Sequence, residues 1–259
     1  MATRLIRLTT LWLSERLYDA AMWPINLIRD FPVRLARLGH TMWRGLTGIP
    51  HTFLRANSAG DGRTSIPGRA AGWLHQLLAQ LFDLAGGPEL AQLLMHLITH
   101  TTPLSGREIA MIASVLGETA LRFSEVRVAE GGLLALVFRL NGNLAFATWH
   151  TIYLPQSGRH TRRNLPIMVH ELTHVYQYER VGSRYLGEAV YMLMKTKRDC
   201  YDYGSAAGLR TAHEAGKHFC DFNREQQAMI VQDYFTLKQH GADVTAYEPF
   251  MSQLRAGEV

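Results

Sequence analysis

Cysteine is scarce in this chain. Its 259 residues include only two, Cys200 and Cys220, which is too few for a disulfide framework or for a zinc site built from cysteines. The sequence therefore favours a reducing compartment, with one disulfide between the two cysteines as the alternative.

Long apolar runs are also missing. No window reaches the ~18 uninterrupted apolar residues that a membrane-spanning helix requires. The N-terminal stretch is broken by Arg7 and by Thr9-Thr10, and no site of small residues for signal cleavage follows it. We expect no Sec signal and a protein that is soluble or bound to a surface.

Acidic residues are few where basic residues are most concentrated. Eight of the 27 basic residues but only three of the 22 acidic residues fall within residues 1–55, which leaves 19 of each in the rest of the chain. The whole formal excess of +5 therefore lies at the N-terminus. A basic N-terminal segment, here called the basic leader, on a chain that is otherwise neutral suggests that residues 1–55 serve as a tether.

The basic leader is amphipathic. Residues 4–21 have the periodicity of a helix, Trp23-Pro24 and Phe31-Pro32 are expected to break it, and short helices are expected beyond them. The apolar faces predict packing on the protein's own body or on a partner. Because tryptophans are interspersed among the arginines, contact with a membrane surface is the alternative. The arginines do not form a polar patch, so nucleic acid is not an expected partner.

Four segments are expected along the chain. They are a basic amphipathic helical segment over 1–55, a linker rich in Gly, Ser and Asn over 56–69, a helical pair over 70–102 and a main domain over 103–250. Ser105 and Glu108 have the spacing of a capping box at the start of a helix.

The middle of the main domain predicts strands. Val126 to Val128, Leu133 to Leu140 and Leu144 to Trp149 are apolar runs, and Asn141-Gly142-Asn143 predicts a hairpin between the last two. Thr151 to Leu154 predicts another strand. We expect an α+β fold in which a small antiparallel sheet packs on the helix that follows it. Helices are expected from Tyr185 to Met194 and from Glu225 to His240, with irregular structure from Lys195 to Asp221 between them.

The strongest motif is His170-Glu-Leu-Thr-His174, within the predicted helix. Residues four apart lie on one face of a helix, so the imidazoles of His170 and His174 can bind one ion while Glu171 reaches a water molecule beside it. Pro166 fits the first turn of such a helix. This is the chemistry of a zinc hydrolase with one Zn²⁺ per chain.

A catalytic zinc site needs a third protein ligand and keeps its fourth position open. Glu225, in a predicted helix downstream, would complete the set, and Asp199 or Asp202 is the alternative third ligand. A metzincin would require Gly at position 177 and His at position 180. The chain has Gln177 and Arg180, so that class is excluded.

Hydrolysis of a peptide bond also needs a group that polarises the substrate carbonyl. His213, His218, Tyr201 and Tyr203 are the candidates, and each also fits an ordinary surface or core position.

From Leu104 to about Phe235 the chain resembles the zinc metallopeptidase-like domains encoded near bacterial contractile injection systems, including the so-called Vgr-related proteins. The matching stretches are Leu104-Ser-Gly-Arg-Glu-Ile-Ala, Val126-Arg-Val, His170-Glu-Leu-Thr-His-Val-Tyr-Gln, Tyr201-Asp-Tyr and Phe222-Asn-Arg-Glu-Gln-Gln-Ala-Met-Ile-Val-Gln-Asp-Tyr.

The resemblance implies a gluzincin-like core preceded by N-terminal helices. In it His170, His174 and Glu225 are ligands and Glu171 is the base. It also implies a link to secretion or toxin delivery, and so a bacterial cytoplasmic protein before delivery.

Three functions are therefore expected. The first is a zinc peptidase that hydrolyses protein or peptide substrates in connection with a secretion system, as an effector. The second is an adaptor of peptidase fold that docks on secretion machinery or a membrane surface through residues 1–55. The third is a delivered toxin that uses the N-terminal segment as a loading signal.

Overall fold

The computed structural model describes residues 2–56, 66–131 and 133–259. They form ten α-helices and four strands, mostly helical with one small sheet. The helices are α1 (Ala2–Ala56), α2 (Ile66–Leu84), α3 (Gly87–Leu97), α4 (Gly106–Leu116), α5 (Leu134–Leu140), α6 (Leu165–Val181), α7 (Arg184–Thr196), α8 (Ser205–Glu214), α9 (Arg224–Gln239) and α10 (Glu248–Arg255). The strands are β1 (His100–Pro103), β2 (Arg127–Glu130), β3 (Phe146–Thr148) and β4 (Thr151–Leu154). Short 3-10 turns cover Lys197–Tyr201 and Phe219–Asp221.

The chain divides into two compact units. One comprises residues 1–93 with 182–184, and the other comprises residues 94–181 with 185–259. Most of the expected linker, residues 57–65, lies outside the described residues. No helix in the described ranges is long and apolar enough to cross a membrane.

In the N-terminal unit, α1 packs along α2. The Trp73 indole donates a hydrogen bond to the carbonyl oxygen of Thr41 at 3.0 Å, and the amides of Gln76 and Gln80 donate to the Thr41 hydroxyl at 2.9 and 2.8 Å. A Cβ at Gly45 would lie 2.4 Å from the Trp73 ring, so glycine is what permits this close approach.

The predicted breaks at Trp23-Pro24 and Phe31-Pro32 are wrong, because α1 runs through both prolines. Each proline removes one helical hydrogen bond, which bends a helix without ending it when neighbouring contacts hold both sides. Arg34, just after the second proline, supplies such a contact. Its guanidinium is buried and binds the Glu89 carboxylate and the Asp83 carbonyl.

In the C-terminal unit the sheet has the order β1-β2-β4-β3. β1 and β2 are antiparallel, as are β3 and β4, but β2 and β4 are parallel. The α+β class is therefore confirmed, whereas the expected antiparallel sheet is wrong, because the sheet is mixed. The turn between β3 and β4 places Trp149 at a positive φ of 52°. Its N–H donates to the Tyr185 hydroxyl at 2.9 Å, which ties this turn to α7.

The predicted strand from Leu133 to Leu140 is also wrong, since Leu134–Leu140 is α5. Only Leu134 and Phe138 are buried in this helix, four residues apart, and they pack with Ala129 and Tyr153. The burial of two side chains at helical spacing favours a helix here over the predicted hairpin. Asn141-Gly142-Asn143 ends this helix.

Two further helices were not expected from the sequence. α8 lies within the segment 195–221, which was predicted to be irregular, and α10 follows the expected last helix. Each buries only a few side chains, Leu209 and Ala212 in α8 and Phe250, Met251 and Leu254 in α10. The expected helix α6 is present, and α7 and α9 lie within two residues of their predicted ends.

The core of this unit surrounds α6. Every residue from Met168 to Tyr178 is buried, and α9, β3 and β4 pack against this helix. The hydroxyl of Tyr176 donates to the Leu254 carbonyl at 2.5 Å, which fixes α10 to α6. A helix buried on all sides can hold polar side chains only where they have partners.

The predicted capping box at the start of α4 is confirmed and extends to a salt bridge. The Glu108 N–H donates to the Ser105 hydroxyl at 3.3 Å, and the Ser105 N–H donates to the Glu108 carboxylate at 2.6 Å. Arg162 donates two hydrogen bonds of 2.7 Å to the same carboxylate and one of 2.9 Å to the Pro103 carbonyl. Arg162 thereby fixes the loop that leads into α6.

Replacement of Glu108 by Gln should lower the free energy of unfolding by about 1–3 kcal/mol at pH 7, since it removes charged hydrogen bonds. Burial acts to raise the pKa of Glu108, but the bonds from Arg162 and Ser105 outweigh it and lower this pKa from 4.5 to about 2. The stabilisation is therefore present above pH 4.5 and is lost as the pH falls toward 2. Urea unfolding of the parent and Glu108→Gln between pH 7 and pH 3 measures this. Glu118→Gln, at an exposed carboxylate near the end of α4, is the control, and a difference that does not depend on pH would contradict the assignment.

Candidate metal centre

Three buried side chains converge where α6 meets α9. The Oε2 atom of Glu225 lies 3.3 Å from Nε2 of His170 and 3.4 Å from Nε2 of His174. The two imidazole rings are 5.0 Å apart between centroids and lie nearly perpendicular to one another. Among the described residues these three form a group of ligand atoms within 4.8 Å of each other.

The spacing of these atoms fits a zinc ion. Tetrahedral ligands with Zn–N and Zn–O bonds of about 2.0–2.2 Å lie roughly 3.3–3.5 Å from one another. The two measured distances agree with that spacing. They are longer than the roughly 2.7–2.9 Å typical of a hydrogen bond between an imidazolium and a carboxylate. Two imidazoles and one carboxylate are also the donor set of a zinc site with one open position.

The local sequence explains how Glu225 reaches this place. Asn223 caps α9 and accepts hydrogen bonds of 3.0 Å from the N–H groups of Glu225 and Gln226. The Gln226 side chain accepts in return from the Asn223 N–H at 3.1 Å. This cap fixes the first turn of α9, and α9 is held on α6 by a shared apolar core that includes Leu172 and Val231.

The charges of the three residues compensate one another. Burial alone would raise the pKa of Glu225, but the charges and hydrogen bonds of His174 and His170 lower it well below its usual range. Burial acts to lower the pKa of His174, yet Glu225 raises it to about 9. The Glu225 carboxylate therefore stays ionised although it is buried.

A chain of amides orients His174. The Nδ1 atom of His174 lies 2.8 Å from Oε1 of Gln177, which accepts its hydrogen and leaves Nε2 free to act as a ligand. The Gln177 amide nitrogen in turn donates to Oε1 of Gln227 at 2.9 Å and to the Arg224 carbonyl at 3.0 Å. Within the described structure Nδ1 of His170 is buried without such a partner.

Glu171 lies beside this group without belonging to it. Its carboxyl is buried, and burial raises its pKa, against the lowering effect of His170 and His174. His170 and Glu171 both line a cavity of about 560 Å³. The segment that enters β3, including Leu144 and Ala145, lines the same cavity.

The structure separates the four candidates for polarising a carbonyl. Tyr201 lines the cavity, and its ring centroid lies 6.1 Å from that of His170. Tyr203 does not line it, and its hydroxyl is bound to Asp233 at 2.5 Å and to Tyr247 at 2.9 Å. His213 and His218 are exposed and lie outside the cavity lining.

The alternative third ligands are also outside the group. Asp199 and Asp202 are exposed, and the Asp202 carboxylate accepts a hydrogen bond from the Gly204 N–H at 2.8 Å. Glu225 is the carboxylate that the fold brings to the two histidines.

Several residues that line the cavity belong to no motif in the sequence. His160 and Arg159 come from the loop before α6, Arg198 comes from the 3-10 turn after α7, and Gln232 comes from α9. Burial, with the charges of His170 and Arg159, lowers the pKa of His160. Their positions could have predicted two glutamines near the site. Gln177 lies one helical turn after His174 on α6, and Gln232 lies two turns after Glu225 on α9.

Residues 109–182 match the eCIS core domain family, less than a third of the chain. The match links this chain to extracellular contractile injection systems. The eCIS core segment runs from α4 to the end of α6, so it contains His170, Glu171 and His174 but not Glu225. No curated protein and no solved structure matches the chain.

The purified chain should bind one zinc ion, and loss of any one ligand should weaken binding by at least about 100-fold, because two ligands hold zinc poorly. His174→Ala and Glu225→Ala are the test variants, measured by competition with a chelator. Asp199→Asn and Asp202→Asn are the controls and should bind zinc as the parent does. If Glu225→Ala kept the parent's affinity while either aspartate variant lost it, the assignment of the third ligand would be reversed.

Proposed function

We propose that the chain is a zinc-dependent peptidase with a gluzincin-like site that acts in connection with an extracellular contractile injection system. The observation that supports it best is the approach of Glu225 to within 3.3 and 3.4 Å of the two imidazoles, with Glu171 lining the same cavity as His170. The eCIS core match supports the association with an injection system. Within that association we propose that the protein acts as an effector or toxin.

His170, His174 and Glu225 would hold the zinc ion, which when bound supplies a Lewis acid and lowers the pKa of water to about 7. Glu171 accepts the proton of the attacking water and delivers it to the leaving amine. Its pKa is raised by burial, which makes its carboxylate a stronger base than an ordinary one.

Tyr201 would donate its hydroxyl hydrogen to the substrate carbonyl oxygen as negative charge develops there. Burial and the nearby charge of Glu225 raise the pKa of Tyr201, so the phenol keeps its proton at neutral pH. The backbone that enters β3, an edge strand of the sheet, offers main-chain pairing for an extended peptide.

An adaptor that docks on secretion machinery or a membrane surface is the second candidate function. It is favoured by large apolar side chains that α1 leaves exposed, among them Leu17 at 63%, Ile28 at 74% and Leu46 at 70%. Large apolar side chains that recur along an exposed helix suit contact with a partner or a membrane surface.

Replacement of Glu171 by Gln should leave zinc binding intact and reduce peptide hydrolysis by about 10²–10⁴-fold, because it removes the group that moves the proton. Zinc content and cleavage of a casein or proteome-derived peptide mixture are measured on the same preparations. Glu179→Gln, on the same helix but outside the cavity, would disturb an ion pair with His150 and serves as a control for damage to α6. If the protein is an adaptor, the parent and Glu171→Gln should show the same rate of peptide hydrolysis. That result would contradict the peptidase proposal.

Replacement of Tyr201 by Phe should lower kcat by about 10–10²-fold with little change in zinc affinity, since only the hydroxyl is lost. Tyr191→Phe, at an exposed tyrosine of α7, is the matched control. If Tyr201→Phe changed KM alone, the phenol would bind substrate without stabilising the transition state. In that case His160 would become the better candidate for the polarising group.

A further inference from the structure

The mouth of the cavity is positively charged. Arg159 and Arg198 both line it and both are exposed, and within the described chain neither side chain forms an ion pair. Two other arginines near the site are neutralised. Arg162 is bound to Glu108, and Arg224 donates to Glu188 at 2.7 Å.

This charge is local and does not follow from the composition. Residues 56–259 contain equal numbers of basic and acidic residues. The two segments that carry the cavity arginines are nevertheless among the most basic in that part of the chain, Ser157-Gly-Arg-His-Thr-Arg-Arg and Lys195-Thr-Lys-Arg. They come from different parts of the fold, the loop before α6 and the turn after α7, and the cavity brings them together.

Negative charge inside the cavity does not cancel the positive charge of Arg159 and Arg198. Among its described lining residues, Glu171 alone carries a carboxyl group, and that group is buried. Glu225 does not line the cavity and lies against the two imidazoles. Among the side chains that line the cavity, the exposed charges that an entering ligand meets are therefore those of the two guanidinium groups.

We propose that the cavity selects peptides that carry a carboxylate close to the scissile bond, and that Arg159 and Arg198 bind this carboxylate. An arginine fork matches the geometry of a carboxylate, and two forks from separate segments can select both charge and position. The inference rests on the proposed peptidase function for its substrate class. The carboxylate can come from an Asp or Glu side chain or from the end of a peptide chain.

Arg162 fixes the loop that carries Arg159. Its four hydrogen bonds to Glu108, Thr102 and Pro103 hold the loop in which Arg159 lies three residues earlier. A guanidinium on an anchored loop loses less conformational freedom when it binds a ligand. The same anchor holds His160 at the cavity.

The test measures binding apart from hydrolysis. Four pools of fluorescein-labelled decapeptides are used, each degenerate except at two fixed positions. Three pools carry Glu, Gln or Lys at those positions and have amidated C-termini. The fourth pool carries Gln and has a free C-terminal carboxylate. Binding to the zinc-loaded, full-length Glu171→Gln chain is followed by fluorescence anisotropy. The Glu pool should bind about five- to tenfold more tightly than the amidated Gln pool at low salt, and the advantage should shrink at about 0.5 M salt.

The double variant Arg159→Gln/Arg198→Gln should reduce the advantage of the Glu pool to less than about twofold. Arg163→Gln/Lys195→Gln is the matched control, because it removes equal charge from the same two segments at positions that do not line the cavity. An advantage confined to the Gln pool with the free carboxylate would assign the site to chain ends. Equal binding of all four pools, or an advantage that survives the cavity double variant, would overturn the proposal.

Cleavage of the same pools by the parent chain, followed by mass spectrometry, separates the two proposals. Selective binding of carboxylate pools without any cleavage would refute the peptidase and leave the carboxylate site standing. Cleavage that ignores the fixed positions, together with equal binding, would refute the carboxylate site alone.

Discussion

Burial of charged groups between α6 and α9 is the constraint on which the rest of this unit depends. Two imidazoles and two carboxyl groups lie at the contact of these helices, each less than a tenth exposed. An isolated charge in such a place is costly, and it persists only with a partner of opposite charge or with a cation. The approach of Glu225 to His170 and His174 meets this requirement, and the cap of Asn223 and the amides of Gln177 and Gln227 maintain the geometry.

Polar partners extend outward from that contact in an ordered way. His174 is held by Gln177, Gln177 by Gln227, and Gln227 donates to the carbonyls of Phe219 and Phe222. A fully satisfied network of this kind fixes one arrangement of a buried helix pair, because any other arrangement leaves a buried amide unpaired. The two histidines differ in this respect, since only His174 has its second nitrogen oriented by a protein group.

The sequence predicted the parts of the site that depend on spacing within one helix. His170, Glu171 and His174 need only an α6 that is helical, and the predicted helix from Glu225 to His240 places Glu225 in the first turn of α9. The cavity mouth could not be predicted in this way, because Arg159 and Arg198 are 39 residues apart and meet only through the packing of their segments. The sheet was misjudged for a related reason. The helical state of α5 goes with the burial of Leu134 and Phe138, and the parallel pairing of β2 with β4 joins strands that are distant in the chain. Local turn signals register neither.

The family match covers only two of the three proposed metal ligands. The eCIS core segment ends at residue 182, so it supplies two imidazoles and Glu171, whereas the carboxylate that completes the group lies 43 residues beyond it. Two ligands from one helix leave a zinc ion half coordinated, and closure therefore depends on α9 folding back onto α6. The match alone consequently supports a link to contractile injection systems and no particular chemistry. The case for hydrolysis rests on α9, because a relative that kept the motif and lost the carboxylate at this helix start would retain the buried histidines without the third ligand that a zinc site requires.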